Sequence, residues 1–455
     1  MKNFEPLTSS KCEALKGSAR IPGDKSISHR ALMLGLLSKD ETIISGLLEG
    51  EDVLNTADAV CKLGGKVSGG DDGLWRVFGA GLGNLNEPED ILDMGNSGTS
   101  TRLLMGIIAG HDISATFTGD ASLNKRPMNR VNIPLSEMGA KFLSRSNGRL
   151  PLTMTGKKTP ASITYEMPVA SAQVKSAILL AGLTANGKTT IIENAPTRDH
   201  TENMLKHFGV NVVTETTEQG HYAVSIEGGQ RLQGCAVDVP ADPSSAAFPV
   251  AAACIIEGSE IKLSRIGINK RRIGFYETLK EMGADIVFNN QRTEAGEPVA
   301  DLIVRGTGKL KGIDVPSERV PSMIDEFPIL SVVAACAEGT TKMSGLAELR
   351  VKESDRLSKM ANGLSACGVK LEEGEDSLII HGTGKAPLGG TLIDTALDHR
   401  IAMSFLILGC VSTEPIEIDN ASPIKTSFPN FVGLMNNLGA QIHDGTQILD
   451  SLMMP

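Results

Sequence analysis

The sequence predicts an α/β protein made of six units of similar size, grouped as two lobes of three. Three observations carry this. A phrase of the form apolar–Gly–small–polar–apolar recurs six times, with its glycines at 64, 139, 209, 283, 368 and 439, hence 75, 70, 74, 85 and 71 residues apart. A second phrase, a Ser- or Asp-bearing turn running straight into an apolar helix, recurs once in each unit. Finally, 455 residues exceed what one hydrophobic core normally serves.

Each element of a unit has a local reason. The glycine phrases, such as Met138-Gly139-Ala140-Lys141-Phe142 and Met282-Gly283-Ala284-Asp285-Ile286, follow amphipathic stretches such as NIPLSEMG and YETLKEMG. The glycine therefore caps a helix C-terminus, and the alternating residues after it begin a strand. The second phrase reads GDKSISHRALMLGLL, GNSGTSTRLLMGII and ASAQVKSAILLAGL in the first half. In the second half it reads ADPSSAAFPVAAAC, SMIDEFPILSVVAA and LDHRIAMSFLILGC. These helices are apolar on most faces, so they belong in the core with only their starts exposed. A unit thus reads strand, capped core helix, strand, helix, Gly, strand. The segment Val239-Pro240-Ala241-Asp242, between the third and fourth units, is a candidate hinge.

Composition excludes several functional classes. Apolar residues are 41% and charged residues 22%, an ordinary globular mixture, and the net charge of −10 argues against a nucleic-acid partner held by bulk charge. Apolar runs such as Ile401–Val411 reach 11 residues, whereas a membrane span needs ~20. The first residues have neither an apolar signal core nor the Arg-rich look of a transit peptide, so a cytoplasmic chain is expected. No two of the seven cysteines are closer than 19 residues, and the eight histidines form no HExxH, so neither a metal site nor a disulfide framework is expected. Cys254, Cys336 and Cys410 fall inside apolar helical runs, as small hydrophobes.

The helix starts carry the chemistry. A helix N-terminus attracts anions and disfavours cations. Yet Lys25, Arg30, Arg102, Lys175 and Arg400 lie in or beside the first turns of these helices, and Lys125, Arg126, Arg130, Arg198, Lys352 and Arg356 lie in turn-like segments. Taken singly, Arg102 or Arg130 reads as a solvated side chain. The set reads as a binder of phosphate and carboxylate groups, which guanidinium holds in bidentate fashion. The GDKS segment is no P-loop, because Asp24 and Ala19 stand where that motif needs glycine, and Gly79-Ala80-Gly81-Leu82-Gly83 opens no helix. Among the acids, Glu326 reads as a cap or dipole partner. Asp325 and Glu353 are candidates for chemistry because basic residues surround them.

Eight motifs in order, RIPGDKSISHR, GNSGTSTR, KRPMNR, SAQVKSA, TRDHTE, SMIDEFPIL, LRVKESDR and LDHRIAMSF, span the chain. Together they resemble the 5-enolpyruvylshikimate-3-phosphate (EPSP) synthase family, with wording nearest to its glyphosate-tolerant bacterial branch. The resemblance implies a two-lobed inside-out α/β barrel with six βαβαββ repeats, three per lobe, and an active site in the cleft. Residues 21–240 would form the N-terminal lobe, and 1–20 plus 241–455 the C-terminal lobe, including the first strand. It also implies a transferase of the shikimate pathway, in chorismate and aromatic amino acid biosynthesis. The enolpyruvyl group of phosphoenolpyruvate would pass to the 5-hydroxyl of shikimate 3-phosphate, releasing phosphate. Neither metal nor organic cofactor is implied; the enzyme would be a monomer closing by induced fit on two small-molecule substrates, with no nucleic-acid or membrane partner.

Carried over by motif, the shikimate 3-phosphate contacts would be Lys25, Ser26, Arg30, Ser171, Ala172, Gln173, Arg198, Asp325 and Lys352. Phosphoenolpyruvate would meet Lys25, Asn96, Gly98, Arg126, Gln173, Arg356 and Arg400. In the family's addition–elimination chemistry, Asp325 would be the general base for the 5-hydroxyl. Glu353, helped by Lys25, would protonate the methylene carbon and later remove that proton. Many relatives carry a Lys where Thr426 stands here, directly after Lys425, and glyphosate-tolerant relatives carry Ala where Gly98 stands. The sister enzyme acting on UDP-N-acetylglucosamine often uses a cysteine of its N-terminal half, but none occurs here between Cys61 and Cys235. A non-catalytic phosphate-binding protein on the same lobes would not need Asp325, Glu353 and Lys25 together.

Overall fold

In the computed structural model, which describes residues 5–445, each of the six glycine phrases closes one helix and leads into a strand. The helices are α1 (Lys25–Leu37), α2 (Glu51–Lys62), α3 (Gly98–Ala109), α4 (Asn129–Glu137), α5 (Ala172–Gly182), α6 (His200–His207) and α7 (Pro243–Ile255). They continue with α8 (Gly274–Glu281), α9 (Val320–Met323), α10 (Phe327–Cys336), α11 (Arg356–Ala366), α12 (His399–Gly409) and α13 (Phe431–Asn437). The six glycines follow α2, α4, α6, α8, α11 and α13, with φ from +82° to +112°. That left-handed conformation ends a helix at little steric cost only without a Cβ, which is why glycine recurs.

Two compact units divide the chain: residues 23–240 with 293–297, and residues 1–22, 241–292 and 298–455. The chain crosses between them after Pro22 and after Pro240, and again for the short stretch 293–297. Each unit has its own apolar core.

The unit of residues 23–240 holds three four-stranded sheets of one topology. The simplest runs Leu92–Asp93, Ser114–Thr118, Arg149–Thr155, Lys141–Arg145, with the first pair parallel and the others antiparallel. A second runs Thr164–Glu166, Lys188–Glu193, Tyr222–Glu227, Val212–Thr216. The third takes its first strand, Ala236–Asp238, from the far end of the unit and sets it parallel to Glu41–Ser45. Core helices α3 and α5 follow the first strands of their sheets, whereas α1 opens the unit and its sheet's first strand closes it. In α1 every residue from Ile27 to Leu37 is buried. A Cβ on Gly106 of α3 would lie 2.4 Å from the Ala177 carbonyl oxygen of α5. Only glycine allows this approach, which packs α3 directly against α5.

The other unit repeats the plan with two borrowed strands. Lys16–Ala19 pairs in parallel with Glu260–Gly267, and Leu7–Ser10 lies antiparallel between Ile416–Ile418 and Gln441–Asp444. One strand over residues 1–20 was expected. Two short ones form instead, in different sheets, and residues 1–4 lie outside the described residues. The third sheet has three strands, with isolated parallel bridges Lys311–Glu338 and Asp314–Lys342 along its edge. A second expectation also needs correcting. The start of α7 is buried rather than exposed, because Arg272 donates to the cap Asp242 (3.2 Å) and to Ser244 (2.9 Å) beside it. No helix among the described residues is long and apolar enough to cross a membrane.

Candidate active site

The predicted site residues fall into two sets, one in each unit. In the unit of residues 23–240, three helix starts and two loops supply them. Asp24 caps α1 by accepting from the Ile27 N–H at 2.9 Å. Lys25 follows, ion-paired with Asp52 of α2. Ser26 is half-buried, and its carbonyl accepts from Arg30. Arg30 is buried, its Nε donating to Thr201 (2.7 Å) and its Nη2 to Ser176 (3.0 Å), so α1, α5 and α6 are joined through one guanidinium.

The turn before α3 is fixed from two sides. Ser97 caps the helix, and Asn96 donates to Asp120 (2.6 Å) while accepting from Arg126 Nη2 (2.7 Å). His29 of α1 joins this turn to α2. Thr56 Oγ1 donates to the Asp52 carbonyl, so His29 Nδ1 carries the proton and donates to Thr56 (2.8 Å), leaving Nε2 to accept from Ser97 (3.4 Å). Burial first, then the charges of Lys25 and Arg30, hold this histidine well below its usual pKa. It is therefore neutral near pH 7.

At the start of α5, Ser171 accepts from the Val174 N–H and precedes Ala172 and Gln173. The Gln173 amide accepts from Arg102 Nη1 at 2.7 Å and donates to Thr99 at 2.9 Å. Arg102 is thus no solvated side chain, whereas Arg130 is exposed. Lys175 is also corrected. It is fully buried, 2.8 Å from Glu193 and 2.7 Å from Glu202, and donates to the Thr197 carbonyl. Burial works against its charge, but the two carboxylates more than offset it, so its pKa lies above the usual lysine value. Its ammonium is already surrounded by acceptors of the protein itself. It ties α5 to the loop that carries the half-buried Arg198.

In the other unit, Asp325 and Glu326 occupy a short 3-10 turn leading into α10, while Lys352 and Glu353 precede α11. Arg356, the first residue of α11, is their hub and is only 1% exposed. Its Nη1 lies 3.4 Å from Asp325 and its Nη2 2.6 Å from Glu353, while Nε donates to Asp398 at 2.8 Å. Burial opposes the charge, but the carboxylates, Asp398 foremost, outweigh it and raise the arginine pKa. Lys352 approaches Asp325 from another side at 3.3 Å. Asp325 and Glu353 keep 16% and 20% of their side chains exposed, so both are reachable. Arg400, in the first turn of α12, lies 3.7 Å from Glu326. Glu326 stands at the N-cap position of α10 but makes no capping hydrogen bond, so of the two readings, cap or dipole partner, the dipole partner fits; its buried carboxylate faces Arg400. Lys425 pairs with Glu5 at 2.9 Å, in an exposed position.

Sequence reasoning missed three residues. Asp398 lies in the LDHR motif, where an acid just before a helix marks a cap; it caps α12 through the Arg400 N–H and also holds Arg356. Asp52 and His29 carried no signal of their own, because their partners are distant in sequence.

The EPSP synthase (3-phosphoshikimate 1-carboxyvinyltransferase) family model matches residues 10–435. A 3-phosphoshikimate 1-carboxyvinyltransferase of Paramagnetospirillum magneticum is 60% identical over 438 residues, covering 96% of this chain and 98% of that protein. One from Rhodospirillum rubrum is 55% identical over 441 residues, covering 96% and 98%. Among solved structures, EPSP synthase from Acinetobacter baumannii superposes with a TM-score of 0.86 at 44% identity, covering 97% of this chain and all of that one.

Proposed function

Since the chain belongs to the EPSP synthase family, we propose that it performs this family's reaction with the two residue sets described above. It transfers the carboxyvinyl group of phosphoenolpyruvate to the 5-hydroxyl of shikimate 3-phosphate, a step of the shikimate pathway. The observation that best supports the assignment of roles is the pair of accessible carboxylates, Asp325 and Glu353, held on opposite nitrogens of one buried guanidinium. Two acids on one rigid support suit a reaction that moves two protons.

In this reading Asp325 accepts the proton of the 5-hydroxyl as its oxygen bonds to C2 of phosphoenolpyruvate. Glu353 delivers a proton to the methylene carbon, giving a tetrahedral ketal phosphate. The same carboxylate then takes a proton back from the methyl group as phosphate leaves, and the hydroxyl proton first held by Asp325 departs with the phosphate, so both acids are reset. Lys25 assists by offsetting negative charge. Lys25, Ser26, Arg30, Ser171, Ala172, Gln173, Arg198, Asp325 and Lys352 hold shikimate 3-phosphate, while Lys25, Asn96, Gly98, Arg126, Gln173, Arg356 and Arg400 hold phosphoenolpyruvate. The enzyme acts in the cytoplasm as a monomer, without metal or organic cofactor, and its two units close on the substrates by induced fit. Glyphosate competes at the phosphoenolpyruvate site, and the wording of the motifs favours kinship with the tolerant branch even though Gly98 favours sensitivity. The test is phosphate release from phosphoenolpyruvate with shikimate 3-phosphate, and separately with UDP-N-acetylglucosamine. Turnover is expected with the first alone; release with only the second would overturn the reading.

A further inference from the structure

Arg102 points back along α3, the usual direction for a helical side chain. Its Nη1 lies 3.4 Å from the Gly98 carbonyl oxygen and 2.7 Å from Gln173 Oε1, and its Nη2 lies 3.4 Å from the Pro127 carbonyl oxygen. One guanidinium therefore touches three places to which the proposed function assigns donor-site residues: Gly98 at the start of its own helix α3, the KRPMNR loop and the start of α5. Its effect on Gln173 is directional. Arginine has no acceptor, so the amide must turn its carbonyl toward Arg102, and one N–H of the amide then goes to Thr99. The second N–H is left to offer an anion. Were the amide reversed, its carbonyl oxygen would face a carboxylate or phosphate and repel it. The space Arg102 occupies depends on residue 98, because a Cβ there would lie 2.9 Å from Arg102 Nη1.

We propose that Arg102 is a positioning residue that locks the Gln173 amide with its N–H toward the anionic substrates, and that Gly98 is the space this lock requires. The proposal rests on the function proposed above and adds a residue that does not itself touch the reacting atoms.

The experiment is a double-mutant cycle with steady-state kinetics and melting curves on wild type, Arg102→Met, Gln173→Ala and the double variant. Arg102→Met keeps the apolar stem and removes the fork. It should raise KM for phosphoenolpyruvate about ten-fold or more, the scale of losing one hydrogen bond to a charged group, with a smaller change in kcat. Because both residues act through one amide, the double variant should be no worse than Gln173→Ala alone. Arg102→Lys, which keeps the charge and one donor, should fall between wild type and Met; it also carries the test if the Met variant does not fold. Effects that multiply in the double variant, or an unchanged KM in both Arg102 variants, would overturn the assignment. So would a lowered melting temperature with no KM change, which marks a purely structural role. Wild-type turnover, measured in the same series, separates the two failures: without it the proposed function falls, whereas turnover with multiplying effects removes only the role of Arg102.

Discussion

Gly98→Ala is the sharpest probe of the proposed donor site. The added Cβ would lie 2.9 Å from Arg102 Nη1 and 3.3 Å from Arg126 Nη1, with no backbone atom among its close neighbours. Comfortable contact begins near ~3.5 Å, so Arg102 must retreat by roughly half an ångström and Arg126 by less. Both are ends of flexible side chains, so the backbone can stay in place, but a displaced Arg102 loosens its hold on Gln173 and should itself raise KM for phosphoenolpyruvate somewhat. The backbone raises no objection either: Gly98 opens α3 and is not among the residues with positive φ. This answers the alternative that glycine is needed for its conformation. If Gly98 lines the phosphoenolpyruvate site as proposed, the cost falls on the ligand, at about 1–3 kcal/mol for a methyl added to a packed pocket, or roughly five- to 150-fold in affinity. Glyphosate, slightly longer than phosphoenolpyruvate, should lose more than the substrate does. The assay is inhibition by glyphosate and saturation by phosphoenolpyruvate on both forms, with melting curves alongside. Wild type should be sensitive, and Gly98→Ala should raise the inhibition constant by about ten-fold or more beyond any rise in KM. Equal weakening of both ligands, or a tolerant wild type, would refute the steric argument.

Three further outcomes are expected. Asp325→Asn keeps the volume of the side chain but cannot accept the hydroxyl proton, so turnover should fall ~10²–10⁴-fold; near-normal turnover would remove Asp325 from the mechanism. His399 is held at a pKa of about 3, first by burial and then by Arg400 and Arg356 acting against the pull of Asp398. Below its unfolded value of ~6.5 only the unfolded chain takes up this proton, so stability is full above that pH and is lost on acidification, by about 2 kcal/mol at pH 5. Denaturant unfolding between pH 7.5 and 5 should therefore show a slope that His399→Gln reduces; an identical slope in the variant would count against it. Finally, if shikimate 3-phosphate engages residues of both units, small-angle scattering should give a smaller radius of gyration once it is added, and an unchanged radius at demonstrated saturation would argue against induced fit.

Repetition made the fold legible. Six glycines at near-constant spacing located six helix ends, because only one residue type meets that backbone requirement cheaply. The two N-terminal strands were less legible. Leu7–Ser10 and Lys16–Ala19 are four residues each, and nothing in so short a segment says which sheet receives it. The α7 start misled for a physical reason: ADPSS looks like any solvated cap, and Arg272, which buries it, lies 30 residues beyond Asp242. In the site, charge and motif pointed to the cations but not to their partners. Nothing near Lys175 in the sequence reveals that Glu193 and Glu202 consume its charge.

Those partners change the energetic argument about the helix starts. A cation at the positive end of a helix seemed to require a bound anion, yet Lys25 has Asp52, Lys175 has Glu193 and Glu202, and Arg356 has Asp398, Glu353 and Asp325. The protein's own carboxylates supply the compensation, so the cations remain in place before any substrate arrives. What distinguishes a binding cation is then how tightly it is already held. Lys175 has no exposure and three partners, leaving nothing to offer. Arg356 is nearly as enclosed, and its weight falls on orienting Asp325 and Glu353. Arg400 differs. Its Nη1 makes no hydrogen bond, and Glu326 stands 3.7 Å away, beyond hydrogen-bonding reach. Coulomb attraction at that distance is about 4 kcal/mol at an effective dielectric near 20, enough to keep the guanidinium in place while leaving its donors uncommitted. On this physical ground, of the two arginines proposed to hold phosphoenolpyruvate in this unit, Arg400 has donors free for a carboxylate, whereas Arg356 contributes chiefly by fixing Asp325 and Glu353 around it.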